Sequence, residues 1–168
     1  MRCLTLCVAL LILPVVFAEE KAVTKGVTIT AKDGKTSVVF SSKPTEQKVG
    51  KIVLHVLEAK DGKSAYFLNQ NDLPKDIDLT DKALVKKTFE ASRDASLRSM
   101  KGKLLSKKDI KLGKLPGYTY DADVAGNVYR ARIYLTEKSF VQIAVIGTKE
   151  FVDGPEAKKF LDSLKIKE

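Results

Sequence analysis

The chain has 168 residues, with 30 Lys and Arg against 21 Asp and Glu and a net charge of +9. That length suits a single domain, and a hydrophobic fraction of 44% is too high for a disordered polyelectrolyte. One His and two Cys leave few residues of the types used by metal centres and nucleophilic catalysis. Composition therefore predicts a folded protein and gives no support to thiol or metal chemistry.

The first 18 residues have the pattern of a secretory signal peptide. A short charged start precedes an almost unbroken apolar run, Leu4 to Phe17, and Ala18 stands before the charged segment Glu19-Glu20-Lys21. The alternative, an uncleaved membrane anchor, needs about 20 apolar residues, which is more than the run from Leu4 to Phe17 contains. We expect cleavage after Ala18, export to the periplasm or the extracellular medium, and no transmembrane segment in the mature chain. Both cysteines leave with the peptide, which excludes disulfides from the mature protein.

Residues 19–26 are predicted to be a loose N-terminal tail, and residues 27–168 a single α+β domain. Short β-prone runs flank Asp33-Gly34 and Asp61-Gly62, which are two-residue turn signals of hairpins. Helical spacing then extends from Asp78 or Thr80 to about Met100, with Leu84, Val85 and Phe89 in the predicted buried stripe. The β pattern returns in four runs, Lys103–Leu112, Gly117–Val124, Val128–Thr136 and Phe140–Ile146, and Pro155 begins a last helix.

This order of elements indicates one antiparallel β-sheet of about six to seven strands, with a long central helix and a C-terminal helix packed on it. Phe140–Ile146 is apolar on both faces except at Gln142, so it is predicted to be a central strand.

Several segments of the second half resemble a group of uncharacterised secreted bacterial proteins. They are LPGYTY (115–120), GNVYRARIYL (126–135), GTKEF (147–151) and KFLDSL (159–164). The order of elements is similar to the PsbP-like fold, an α/β/α sandwich shared by an extrinsic photosystem II subunit and a Ran-binding protein. The resemblance implies this fold and action by binding other proteins. It implies no reaction, and no functional residue transfers to this chain.

Motifs for catalysis are missing from the sequence. It contains no serine-hydrolase elbow, dinucleotide-binding loop or P-loop. His55 has only Glu58 nearby, on the opposite face of its strand, so it is interpreted as a structural histidine. Aspartates at 72–81 and at 121–123 offer oxygen ligands for calcium but do not match a calcium-binding loop, and helix capping and surface pairing explain them. We expect no cofactor and no metal.

The positive charge is concentrated in one segment. Residues 82–114 contain eleven basic and three acidic residues, a net charge of +8, which equals the whole excess of the expected mature chain. Nucleic-acid binding normally adds stacking aromatics, and this segment has only Phe89, so no nucleic acid is expected. The remaining partners are an acidic protein, an anionic polymer or a membrane surface; the alternative is a solvated lysine face that serves solubility.

The candidate residues for binding an anion or partner are Lys103, Lys107, Lys108, Lys111, Arg130 and Arg132. For the two arginines, cross-strand pairing with Asp121 and Asp123 is the alternative. We predict a secreted, non-catalytic binding or accessory protein that uses the basic face of residues 82–114. Two other functions stay open: a carboxylate-dependent hydrolase, and a subunit of a larger exported assembly.

Overall fold

The computed structural model describes residues 26–49, 52–73 and 77–167. The predicted signal peptide and all of the predicted tail except Gly26 lie outside these ranges. Within them the strands are β1 Val27–Thr30, β2 Thr36–Phe40, β3 Thr45–Val49, β4 Ile52–Glu58, β5 Ala65–Asp72, β6 Lys103–Leu112, β7 Leu115–Val124, β8 Asn127–Leu135, β9 Ser139–Gly147 and β10 Lys165–Ile166. The helices are α1 Lys82–Met100, α2 Lys149–Asp153 and α3 Pro155–Asp162.

Seven strands form the main sheet, in the order β3-β4-β5-β9-β8-β7-β6, and every pairing is antiparallel. The prediction of an α+β fold with an antiparallel sheet of six to seven strands is confirmed. β9 lies in the middle of this order, as its two apolar faces predicted. β6 and β3 are the two edge strands of the main sheet.

Each face of the main sheet is covered by different elements. We call the face that packs against α1 the α1 face, and the face that packs against β2, α2 and α3 the α3 face. On the α1 face, Phe89 stacks on Tyr118 with ring centroids 5.7 Å apart. On the α3 face, Phe160 packs between Phe40 and Tyr66. Strand alternation thus divides the core into two layers around one sheet.

A second sheet contains three strands in the order β1-β2-β10. The first predicted hairpin is therefore separate from the main sheet and packs over its α3 face through Val38 and Phe40, both fully buried. Asp33 holds the hairpin turn by accepting hydrogen bonds from the backbone of Lys35 and Thr36. The sequence predicted one sheet, and neither β10 nor a separate second sheet was expected. A two-residue strand such as β10 has no periodic signal.

Helix α1 begins one residue after its N-cap, Asp81, whose carboxylate accepts hydrogen bonds from the backbone of Ala83 and Leu84. The sequence placed the cap at Asp78 or Thr80. Leu84, predicted in the buried stripe, is instead 41% exposed, whereas Val85 and Phe89 are buried as expected. In the part of the chain that the structure describes, no helix is long and apolar enough to cross a membrane.

Four of the five tyrosines have raised pKa values because burial disfavours the phenolate. They are Tyr66, with a pKa of about 12, and Tyr120, Tyr129 and Tyr134. Folding therefore favours the neutral phenol, and this contribution to stability is complete below pH 10 and is lost as pH rises from about 10 through 12. We expect the absorbance of phenolate at 295 nm to show these four groups ionising above pH 10 in the native protein. In guanidinium all five should titrate near pH 10; a native titration identical to the denatured one would contradict the buried positions.

Candidate functional site

A cavity of about 650 Å³ opens on the main sheet beside β6, β7 and β8. We call it the β6–β8 cavity. Its lining residues are Ser106, Lys107, Lys108, Ile110, Lys111, Thr119, Tyr120, Asp121, Arg130, Arg132 and Tyr134. Five of the six residues that the sequence singled out are in this set. The sixth, Lys103, lies at the start of β6 and is exposed.

Strand register separates these residues between the two faces of the sheet. Lys108 pairs with Thr119, which pairs with Arg132, so these side chains share the α3 face. Lys107 and Lys111 alternate with Lys108, and their Cβ atoms are on the α1 face. A β-bulge between Leu104 and Ser106 shifts the register, so that Lys103, opposite Asp123, shares the α3 face with Lys108.

Arg130 joins two strands and a helix by a network of ion pairs. Its Nε and Nη2 each donate to a different oxygen of Asp121, at 2.8 Å, and its Nη1 lies 3.1 Å from Asp153 Oδ1 at the end of α2. Nη1 also donates to the backbone oxygen of Val152 at 3.4 Å. The hydrogen bond with Asp121 is the main cause of a raised pKa of the guanidinium, so Arg130 stays charged. Of the two interpretations offered for Arg130, cross-strand pairing with Asp121 is therefore the one that the structure shows.

Arg132 holds the C-terminal end of α3. Its Nη1 donates to Asp162 Oδ1 at 2.7 Å and to the backbone oxygen of Leu161 at 3.0 Å. A cation is favourable there because the last carbonyls of a helix carry partial negative charge. Tyr134 lies beside it, over Gly117, where an added Cβ would come within 2.6 Å of the ring. Both arginines therefore have structural partners, and Asp123 instead accepts a hydrogen bond from the Gly126 backbone.

The lysines of β6 differ from the arginines in having few partners. Lys107 Nζ lies 3.8 Å from Glu90 on α1. Lys103, Lys108 and Lys111 are exposed and form no ion pair with any described residue. The uncompensated positive charge beside the cavity thus comes from the edge strand.

One basic residue of the segment 82–114 is removed from the surface. Arg93 is only 8% exposed, and it donates to the Tyr118 hydroxyl at 2.7 Å and to Asp94 at 2.8 Å. Its guanidinium carbon lies 5.9 Å from the centroid of the Tyr118 ring. Arg93 therefore fixes α1 on the sheet, while the other ten basic residues of the segment are exposed.

A second cavity, of about 270 Å³, brings together residues that sequence reasoning treated separately. It lies between the β1–β2 turn and strands β4 and β5, and is lined by Ala31, Lys32, Asp33, Val53, His55, Leu68, Gln70, Asn71 and Asp72. Gln70 donates to Asp33 at 2.5 Å, and its own oxygen is buried without a described partner. No spacing in the sequence places Asp33 near His55, since different sheets carry them.

Four of the aspartates considered for calcium have identifiable partners, and one of them, Asp123, accepts from the Gly126 backbone. Asp78 accepts from Thr80, Asp81 caps α1 and Asp121 pairs with Arg130. In residues 26–49, 52–73 and 77–167, no group of three or more His, Cys, Asp or Glu is placed to hold a metal ion.

Comparison with protein-family models and with curated proteins found no match. Among solved structures, the chain is similar to cyanobacterial PsbP (CyanoP) from Synechocystis sp. PCC 6803. The TM-score is 0.63 at 10% identity, and the match covers 92% of this chain and 99% of that one. Two further similar structures each match at 12% identity over 85% of this chain. One is a Pseudomonas aeruginosa protein of unknown function, with a TM-score of 0.49 and 98% of its chain covered. The other is the Saccharomyces cerevisiae Ran-binding protein Mog1p, with a TM-score of 0.48 and 96% of its chain covered. The chain has a PsbP-like fold.

Proposed function

We propose that this chain is a non-catalytic binding or accessory protein that engages an anionic partner through the lysines of β6 and the adjoining β6–β8 cavity. The observation that carries the proposal is a cavity of about 650 Å³ beside an edge strand with three exposed lysines, Lys103, Lys108 and Lys111, which form no ion pair with any described residue. A volume of that size is in the range of ligand-binding clefts. Export, which the N-terminal pattern predicts, is part of the same proposal.

Asp33, a carboxylate that lines the second cavity, does not have the raised pKa of a general acid. A carboxylate-dependent hydrolase needs one carboxyl whose pKa is raised, so that it can donate a proton near neutral pH. Burial acts to raise the pKa of Asp33, but hydrogen bonds from Thr36, Lys35 and Gln70 outweigh it and lower the pKa. Asp33 is therefore ionised near neutral pH, and its carboxylate accepts the backbone hydrogen bonds that hold the β1–β2 turn.

Retention on an immobilised polyanion tests this function. We expect the protein to bind heparin at low salt and to elute as salt screens the lysines. The triple variant K103E/K108E/K111E should bind about 10- to 100-fold more weakly, because each exposed charge contact contributes about 0.5–1 kcal/mol.

The matched control is K82E/K86E/K87E, which makes the same change in net charge at exposed lysines of α1. It should keep most of the retention. Equal loss in the two triple variants would contradict the proposed site, since only total charge would then matter. Circular dichroism should show that both variants stay folded.

A further inference from the structure

The outer edge of β6 is a long strand edge without a described partner. β6 has ten residues and pairs only with β7 among the described strands. In an antiparallel pair, every second residue of an edge strand directs its N–H and C=O groups away from its neighbour. The opposite edge, β3, has five residues and carries a Glu46–Lys48 ion pair. β6 therefore offers the longer edge, and its net charge is positive, with four lysines against Asp109.

The lysines of β6 occupy both faces of the sheet. Lys103 and Lys108 lie on the α3 face, and Lys107 and Lys111 lie on the α1 face. Three of them, Lys107, Lys108 and Lys111, line the β6–β8 cavity, so a ligand held only there would not meet Lys103. A strand added beside β6 would send alternate side chains to both faces and would meet all four lysines.

An exposed apolar residue lies near the start of this edge, at its third position. Leu105, at the β-bulge, is 56% exposed, the highest value among the exposed large hydrophobic side chains of the described residues. A lysine-rich edge needs no such residue for solubility. An added strand would cover Leu105, because neighbouring strands lie about 4.8 Å apart.

Charge selects the partner of this edge. Pairing of β6 with β6 of a second copy would bring together two strands that each carry four lysines and one aspartate, and the dominant like-charge contacts protect such edges from self-association. An extended segment rich in Asp or Glu would instead bring carboxylates against the lysines of β6. We propose that β6 accepts an extended acidic segment of a partner polypeptide as an eighth strand of the main sheet. This proposal rests on the proposed function and names the partner class and the mode of binding.

Two matched peptides separate strand addition from simple charge attraction. The probe is a fluorescent peptide of about ten residues in which Glu alternates with Thr or Val, and its control is the same peptide N-methylated at every second amide. N-methylation removes donors along one edge and keeps every charge. We expect the control to bind at least about tenfold more weakly. Equal affinities would overturn strand addition while leaving anion binding intact.

Two single variants locate the contact along the edge. K103E changes a lysine outside the cavity, and K108E changes one in its lining, on the same face and by the same charge. Strand addition predicts that each variant loses affinity for the unmethylated peptide, by about two- to fivefold. If only K108E lost affinity, the peptide would be held in the cavity and the proposal would be wrong.

Heparin distinguishes failure of this proposal from failure of the proposed function. Retention on heparin without measurable peptide binding would overturn the acidic polypeptide as partner and leave an anion-binding protein. Absence of both would overturn both. Slowed amide exchange in alternate residues of β6 when the unmethylated peptide is added is the expected positive result.

Discussion

Replacing Phe160 with alanine is expected to lower the free energy of unfolding by about 3–5 kcal/mol. Phe160 is 4% exposed, and its ring centroid lies 4.9 Å from that of Phe40 and 5.1 Å from that of Tyr66. One ring thus joins α3, the small sheet and the main sheet. Removing it leaves a cavity where three elements meet, and none of them can close the space without moving away from another partner.

Urea denaturation at neutral pH measures this loss. The control is Leu105→Ala, which removes an aliphatic side chain that is 56% exposed and should change stability by less than about 0.5 kcal/mol. Hydrogen exchange should rise first in β1, β2 and β10, since the small sheet docks through Phe40. A loss below about 1 kcal/mol in Phe160→Ala would show that the small sheet does not depend on this contact.

Replacing Arg130 with methionine is expected to cost about 2 kcal/mol. Removing one partner of a fully buried ion pair costs about 3–5 kcal/mol, and the side chains of Arg130 and Asp121 are still 28% and 21% exposed, which reduces the figure. The variant leaves the carboxylate of Asp121 without its two hydrogen bonds and detaches the end of α2 from β8.

A double-mutant cycle with Asp121→Asn isolates the pair. We expect a coupling of about 1–2 kcal/mol between positions 121 and 130 by chemical denaturation. Arg130→Lys, which keeps the charge but cannot donate two parallel hydrogen bonds, should recover only part of the loss. Additive effects of Arg130→Met and Asp121→Asn would contradict the geometry of this pair.

Strands with strong periodicity were predicted closely from the sequence. β6 has the predicted bounds, and β7, β8 and β9 differ from prediction by one or two residues at an end. β7, β8 and β9 alternate apolar and polar residues or are largely apolar, so local pattern and tertiary environment agree; β6 is bounded instead by Gly102 and Gly113. β3, with the sequence TEQKV, and α2, with five residues, gave no signal because neither has an apolar period long enough to detect.

The candidate site was only partly predictable. The pairing of Arg130 with Asp121 follows from the register of a hairpin closed at Ala125-Gly126, which is local. The partners Asp153 and Asp162 lie 23 and 30 residues further along the chain, and only the docking of α2 and α3 brings them to the arginines. The sequence therefore grouped the arginines with the lysines, although their charges are largely compensated.

The amino-acid sequence alone determined that the chain folds, that its main sheet is antiparallel and that +8 of its net charge of +9 lies in residues 82–114. These properties depend on neighbours in sequence, through turns and side-chain periodicity. The tertiary structure decided which of those charges remain unpaired and on which face they lie. A single bulge at Leu105 sets the face of Lys103, and helices packed from distant segments neutralise Arg130 and Arg132. Such pairings depend on contacts between residues far apart in the chain, which no local pattern records.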